Sequence, residues 1–267
     1  MPGLGLGTWK MGEVAGQRGA EIAAVRLAIA LGIAHVDTAE MYGEGDTEDL
    51  LGEALAGLDR EGLFLVSKVY PWNADRAGMA AACEASLRRL GTDRLELYLL
   101  HWPGSVPFEE TLEGAARLKA AGKIRAFGVS NVDAAMLARL ERQGLLDAVE
   151  VNQVMYNPSR RGIEHDLLPA LERMGIACMA YTPIEPARLG RSAGFRAVAE
   201  AEGMAPAGLA LAWHLTAGRA VPIPKAGRVA HVEALVAAAG RRLSPETMAA
   251  IDRACPPPSG PERLDIL

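Results

Sequence analysis

The chain has 267 residues, half of them hydrophobic, and a net charge of −5. That length holds one large domain or two small ones, with enough apolar residues for a sizeable core. Scattered arginines argue against a nucleic-acid reader built on a basic patch, and no run approaches the ~18 apolar residues of a membrane helix.

Regular structure is expected first at Leu4–Trp9, after only Met1–Gly3. The opening MPGLGLGTW lacks the charged-then-apolar layout of a secretion signal, so a cytoplasmic location is the expectation. Its G-L-G-L-G run has the wrong spacing for a dinucleotide fingerprint, and Trp9 stands where a helix should open. From there, amphipathic stretches alternate with short β-branched runs. Helix Glu21–Gly32 leads to strand His35–Ala39, helix Glu48–Gly57 to strand Leu63–Val69, and helix Ala77–Gly91 to strand Leu95–His101. Helix Phe108–Gly122 precedes strand Ile124–Ser130, Asp133–Gly144 precedes Ala148–Val154, Ile163–Gly175 precedes Ile176–Pro183, and Pro206–Gly218 precedes Ala220–Lys225. Helices near Val229–Gly240 and at Ser244–Ala254 close the chain. Many of these helices end in Gly, which suits a left-handed cap; Pro206 suits a first turn, and Ser244 an N-cap.

Eight strands, each followed by a helix, predict one (β/α)₈ TIM barrel over residues 1–267 with an additional C-terminal helix. A doubly wound sheet alternates similarly but with fewer strands or more residues. No linker or low-complexity segment divides the chain. Cys83, Cys178 and Cys255 are odd in number and far apart, as expected of reduced, packed thiols. The five histidines show no paired metal-ligand spacing, so no metal site is expected.

Barrel enzymes carry their chemistry at the C-terminal ends of the strands. Asp37 lies near the end of strand two, Tyr42 in the loop after it, Lys68 near the end of strand three, and His101 at the end of strand four. Each alone has an ordinary structural explanation: a turn former, a surface ring, a histidine before Trp-Pro. A lysine at a barrel mouth is costly to desolvate unless paired. On three adjacent strands the four make a proton donor. A phenol with a pKa of roughly 10 stands beside an ammonium expected to lower it, a carboxylate to hold that ammonium charged, and an imidazole to hydrogen-bond the phenol oxygen.

The ordered phrases DTAEMYG, LVSKVYPWN, LYLLHWP, GKIRAFGVSN, VNQVMYNP, AYTPI and IPKAG resemble those of aldo-keto reductases, and the likeness covers nearly the whole chain. EMYGEGDTEDLLGEAL and ACEASLRRL are most similar to the bacterial branch associated with methylglyoxal reduction. The resemblance implies a barrel that reduces small aldehydes or ketones with NADPH. It makes Tyr42 the general acid, Lys68 and Asp37 its tuning pair, and His101 the substrate-orienting group. It assigns the cofactor's carboxamide to Ser130, Asn131 and Gln153, the nicotinamide ring to Tyr181 beside Thr182, and the first strand's mouth to Gly7, Thr8 and Trp9. Lys225 matches the cation for the 2′-phosphate, with Arg228 sharing that work.

Three positions depart from the family pattern. Ala226 replaces a Ser or Thr, His231 an Arg, and Leu235 an Asn that contacts adenine. A mostly neutral His is a poorer phosphate ligand than a guanidinium. The expectation is therefore NADPH preference with appreciable tolerance of NADH. Trp9, Met41, Tyr70, Trp72, His101 and Trp102 are expected to wall the substrate pocket. That pocket should be shallow, because the loop after His101 is short and the tail CPPPSGPERLDIL adds little bulk. The hairpin with which the family commonly closes the barrel floor does not precede the first strand, so the expectation is either an open floor or a chain shortened at this end. The anticipated partner is a small carbonyl compound, with no nucleic acid or membrane, and the protein is expected to be a monomer or weak oligomer. Two other readings use the same barrel: a cofactor-binding sensor with little turnover, and a lyase or isomerase with a Schiff base on Lys68.

Overall fold

Eight short parallel strands follow one another around a ring in chain order, in a computed structural model that describes residues 1–266. They are β1 (Gly5–Gly7), β2 (His35–Asp37), β3 (Phe64–Val69), β4 (Leu95–Leu100), β5 (Ile124–Ser130), β6 (Val149–Met155), β7 (Ala177–Tyr181) and β8 (Val221–Pro222). The helices outside them are α1 (Arg18–Ala30), α2 (Asp46–Leu55), α3 (Gly78–Leu90), α4 (Phe108–Ala120), α5 (Ala134–Arg142), α6 (Leu167–Met174), α7 (Pro186–Leu189), α8 (Ala193–Ala201), α9 (Pro206–Ala217), α10 (Val229–Ala239) and α11 (Pro245–Ala254). This is the expected (β/α)₈ barrel with an additional C-terminal helix. The unanticipated elements are α7 and α8, inserted between β7 and α9.

Period-two alternation divides each strand between two cores. Val66, Leu97, Leu99, Val151, Met179 and Ile223 form a buried cluster inside the ring. Register explains its layering, because Val66 pairs with Leu97 and Leu97 with Ala126. The alternate residues, such as Leu65, Val69, Tyr98 and Leu100, face the helices in a larger continuous core. Ser67 illustrates the outward direction: its hydroxyl donates to buried Glu48 of α2 at 2.6 Å. Lys68, next along, points inward.

The ring closes between β8 and β1 on a thin seam. Gly7 bridges to Lys225, and the Gly7 amide donates to the Pro224 carbonyl at 2.9 Å. A Cβ on Gly7 would sit 2.6 Å from the Ile223 carbonyl oxygen, so only glycine permits this approach. β8 is shorter than the expected Ala220–Lys225 because Pro222 and Pro224 have no N–H to give. The remaining boundary differences are local; for example, α6 begins at Leu167 because Asp166 caps its amide at 2.6 Å, leaving Ile163 in a preceding 3₁₀ turn.

At the floor of the ring, His35 lies edge-on to Phe64 with centroids 5.0 Å apart. Burial, with repulsion from the N-terminal ammonium and Lys68, pushes the His35 pKa down to about 3. His35 is therefore neutral when folded. The unfolded chain takes up a proton as pH falls below about 6.5, while the folded state resists until about 3. Its stabilising contribution is fully present above 6.5 and is lost progressively toward 3, at about 1.4 kcal/mol per pH unit for one proton. Denaturant titrations at pH 7 and pH 5 should show a smaller drop in stability for His35→Leu than for the unsubstituted protein. An equal drop would place the acid sensitivity elsewhere.

Candidate active site

Neighbouring strand ends deliver the four chemistry-bearing residues to one rim. Asp37 ends β2, Lys68 lies one residue from the end of β3, and His101 follows β4, its amide donating to the Val69 carbonyl at 3.0 Å. Tyr42 arrives from a 3₁₀ turn, Tyr42–Gly45, in which three consecutive residues have positive φ: Gly43 57°, Glu44 53° and Gly45 107°. Gly45 suits its φ of 107°, which L side chains rarely adopt, and a Cβ there would also push against the Arg89 side chain. This left-handed run turns the chain back so that the Tyr42 ring faces the barrel axis.

Lys68 Nζ is the centre of the arrangement. It donates to Asp37 Oδ1 at 2.6 Å, to the Thr38 carbonyl at 2.8 Å and to the Tyr42 hydroxyl at 3.2 Å. All three donor positions of the ammonium are thereby used. Asp37 is satisfied on its other oxygen by Gln153 Nε2 at 2.7 Å. Burial works against the Lys68 ammonium, but Asp37 and Tyr42 outweigh it and hold its pKa above the ordinary lysine value. For Tyr42, burial pushes the phenol up and exceeds the lowering by Lys68. This corrects the sign expected from the sequence: the phenol stays firmly protonated, the state an acid catalyst requires.

His101 stands with its ring edge-on to Tyr42, centroids 5.9 Å apart. Burial and the Lys68 charge push its pKa down to about 2. It is a neutral imidazole, and its Nδ1 is buried without a hydrogen-bond partner among the described residues.

Asp37, Tyr42 and His101 open into one cavity of about 1530 Å³, with Lys68 buried and bonded to Asp37 and Tyr42. One end is walled by Trp9, Met41, Tyr42, His101 and Trp102. Beside it, Ser130 Oγ donates to the Gln153 carbonyl at 2.8 Å, and Asn131 Nδ2 bonds the His101 carbonyl and Ser130 Oγ, each at 3.2 Å. Tyr181 donates its hydroxyl to Asn131 Oδ1 at 2.9 Å, which fixes its ring on the cavity wall. Asn131 and Thr182 both adopt left-handed backbone, φ 59° and 52°. Gly7 and Thr8 line the same stretch. The far end is walled by Lys225, His231, Leu235, Ala238 and Arg241.

Most of the site residues named from the sequence therefore share one cavity, and four do not line it; Lys68 is buried, bonded to Asp37 and Tyr42. Arg228 holds the N-cap position of α10 and is not on the wall. Tyr70 and Trp72 stack at 4.3 Å beside Trp102, one layer outside the cavity. Sequence reasoning missed Met136, the Ile184–Pro186 loop, Met204, Arg241 and Ile266, which also line it. Ser192, whose hydroxyl caps α8, is a weak helix-start signal among glycines and arginines, and nothing in the sequence marked Arg241 or Ile266.

A barrel with a Tyr–Lys–Asp–His rim at one end of a long cleft, and amide donors beside it, defines an oxidoreductase that works on a carbonyl with a dinucleotide. The chain belongs to the aldo/keto reductase family, whose model matches residues 3–255. It is 46% identical over 272 aligned positions to methylglyoxal reductase YeaE of Escherichia coli (strain K12), covering 100% of this chain and 95% of that protein. It is 35% identical to the glyoxal reductase of Bacillus subtilis (strain 168) over 227 positions, covering 84% and 78%. Among solved structures, an aldo/keto reductase from Klebsiella pneumoniae in complex with NADP and acetate superimposes with a TM-score of 0.95 at 45% identity, covering 100% of this chain and 96% of that one.

Proposed function

We propose that this protein reduces small aldehydes and ketones, methylglyoxal among them, with Tyr42 as the proton donor and NADPH as the preferred reductant. The observation that carries this reading is the 3.2 Å contact of Lys68 with Tyr42, backed by the buried 2.6 Å ion pair to Asp37. The donor set suits the cofactor. Ser130, Asn131 and Gln153 offer the amides and hydroxyl that a carboxamide needs, Tyr181 offers a ring face, and Lys225 a cation. The cavity is also larger than the ~300–1,000 Å³ typical of drug-sized ligands, as a dinucleotide plus a substrate requires.

When bound, NADPH supplies a hydride to the carbonyl carbon. The protein does the rest. Neutral His101 donates a hydrogen bond to the carbonyl oxygen and sets its direction. Tyr42 gives its proton to that oxygen as negative charge develops there. Lys68, held positive by Asp37, stabilises the phenolate left behind until solvent reprotonates it. Trp9, Met41 and Trp102 give the substrate an apolar wall. NADPH oxidation across a panel of aldehydes and ketones tests the reading; no turnover with any of them would favour a sensor role instead.

Cofactor choice follows from the far end. Lys225 is exposed on the cavity wall, and partial desolvation there lowers its pKa from the ordinary lysine value. Ala226 and Leu235 present no polar group, and the His231 imidazole lacks the fork of donors with which a guanidinium grips phosphate. Arg241 adds a second cation to this wall. NADPH is therefore preferred and NADH accepted. Values of kcat/KM for the two cofactors measure the preference, and equal or NADH-favouring values would refute it.

A further inference from the structure

Two wall segments of the cavity come from distant parts of the chain: the loop Ile184–Pro186 after β7, and Ile266 near the C-terminus. Arg160 touches neither the cavity nor the tetrad, yet it holds both segments. Its Nε and Nη2 donate to the two oxygens of Glu185, each at 3.0 Å, and its Nη1 donates to Asp265 Oδ1 at 2.9 Å. We propose that Arg160 is a positioning residue that couples the β7 loop to the C-terminal tail, so that the two walls open together when cofactor leaves. The inference rests on the reductase reading above.

The local structure is built for this. Asn157 and Arg160 form a tight antiparallel bridge just after β6, and Asn157 Oδ1 accepts from the Ser159 amide at 2.9 Å, so the base of the Arg160 side chain is fixed. Asn157 Nδ2 reaches across to the Thr182 carbonyl and to Glu185 Oε2, each at 3.0 Å. A planar guanidinium can serve a bidentate carboxylate and a second acid at once; a lysine ammonium lacks that fork geometry. Burial would raise the Glu185 carboxyl, but Arg160 and Asn157 outweigh it and hold the group ionised. An unpaired carboxylate on this wall would repel the phosphates of a dinucleotide, and Arg160 neutralises it. The tail thus contributes to the site, contrary to its expected lack of bulk.

The test is the rate of NADPH release from the full chain, followed by stopped-flow cofactor fluorescence. Arg160→Gln should accelerate release roughly tenfold. Asp265→Asn alters only the tail's side of the Arg160 contact, yet it should also accelerate release. In the double variant, Asp265→Asn should add nothing to Arg160→Gln. Arg160→Lys should restore part of the effect. Unchanged release in Arg160→Gln, or simple additivity in the double variant, would overturn the coupling. If Arg160→Gln fails to fold, Asp265→Asn carries the test, and wild-type release rates from that variant would be equally decisive. A wild-type chain that bound no NADPH would instead remove the reductase reading itself.

Discussion

Tyr42→Phe should lower kcat for aldehyde reduction by roughly 10³-fold, within the range for positioned acid catalysis, with the Kd for NADPH unchanged within about twofold. The change deletes one oxygen. That oxygen is bonded by Lys68 at 3.2 Å, and the ring keeps its place edge-on to His101 without it. Ser130, Asn131 and Gln153, the polar groups proposed to face the cofactor, make bonds of their own that do not involve the phenol. Steady-state kinetics and fluorescence quenching by NADPH separate the two effects. Retained turnover would remove Tyr42 from the proton-donor role, and lost binding would make it a cofactor ligand.

Lys68→Met has the larger structural consequence. Asp37 and Lys68 are both buried, and removing one partner leaves the other charge uncompensated. Breaking such a pair costs about 3–5 kcal/mol, whereas removing both together costs far less. Denaturant unfolding should therefore show Lys68→Met severely destabilised and Lys68→Met with Asp37→Asn closer to the original. Gln153 keeps a hydrogen bond to the side chain at position 37 in the double variant, because a carboxamide there still presents an oxygen to its amide. Activity should not recover with stability, because Tyr42 then lacks the ammonium that stabilises its phenolate. Recovery of turnover in the double variant would mean that the pair is structural alone.

Much of this was legible because the barrel repeats one local code. Apolar runs bounded by glycine caps marked all eight strands, and the strand ends then placed Asp37, Lys68 and His101 on a common rim. What the sequence hid depended on longer-range packing. The segment between Tyr181 and Pro206 reads as a loop because α7 is four residues and α8 nine. Its capping serine lies among glycines and arginines that weaken the pattern. Arg241 reaches the cavity from the turn after α10, and Ile266 from the tail, so neither has a periodicity to betray it. Arg228 misled for the opposite reason: three residues after Lys225 is close in sequence, but the extended backbone there, φ −140° and ψ 145°, makes it the N-cap of α10 rather than a wall residue. The sign of the Tyr42 shift also needed coordinates, since charge partners can be read from residue types but depth cannot.

The seam between β8 and β1 gives the cofactor a second effect. With two prolines on that side of the gap, few amides there can donate across it, and an isolated bridge rather than a ladder joins the two strands. Gly7 and Thr8 lie on one lip and Lys225 on the other. A dinucleotide held as proposed, from the rim to Lys225, would span that gap and tie the barrel shut, as a hoop closes a cask. Binding to the closed form alone adds about 2.7 kcal/mol of stability at a hundred times Kd. The cofactor would then act as a structural strap as well as a reagent, and its removal would leave the barrel's thinnest junction without that support.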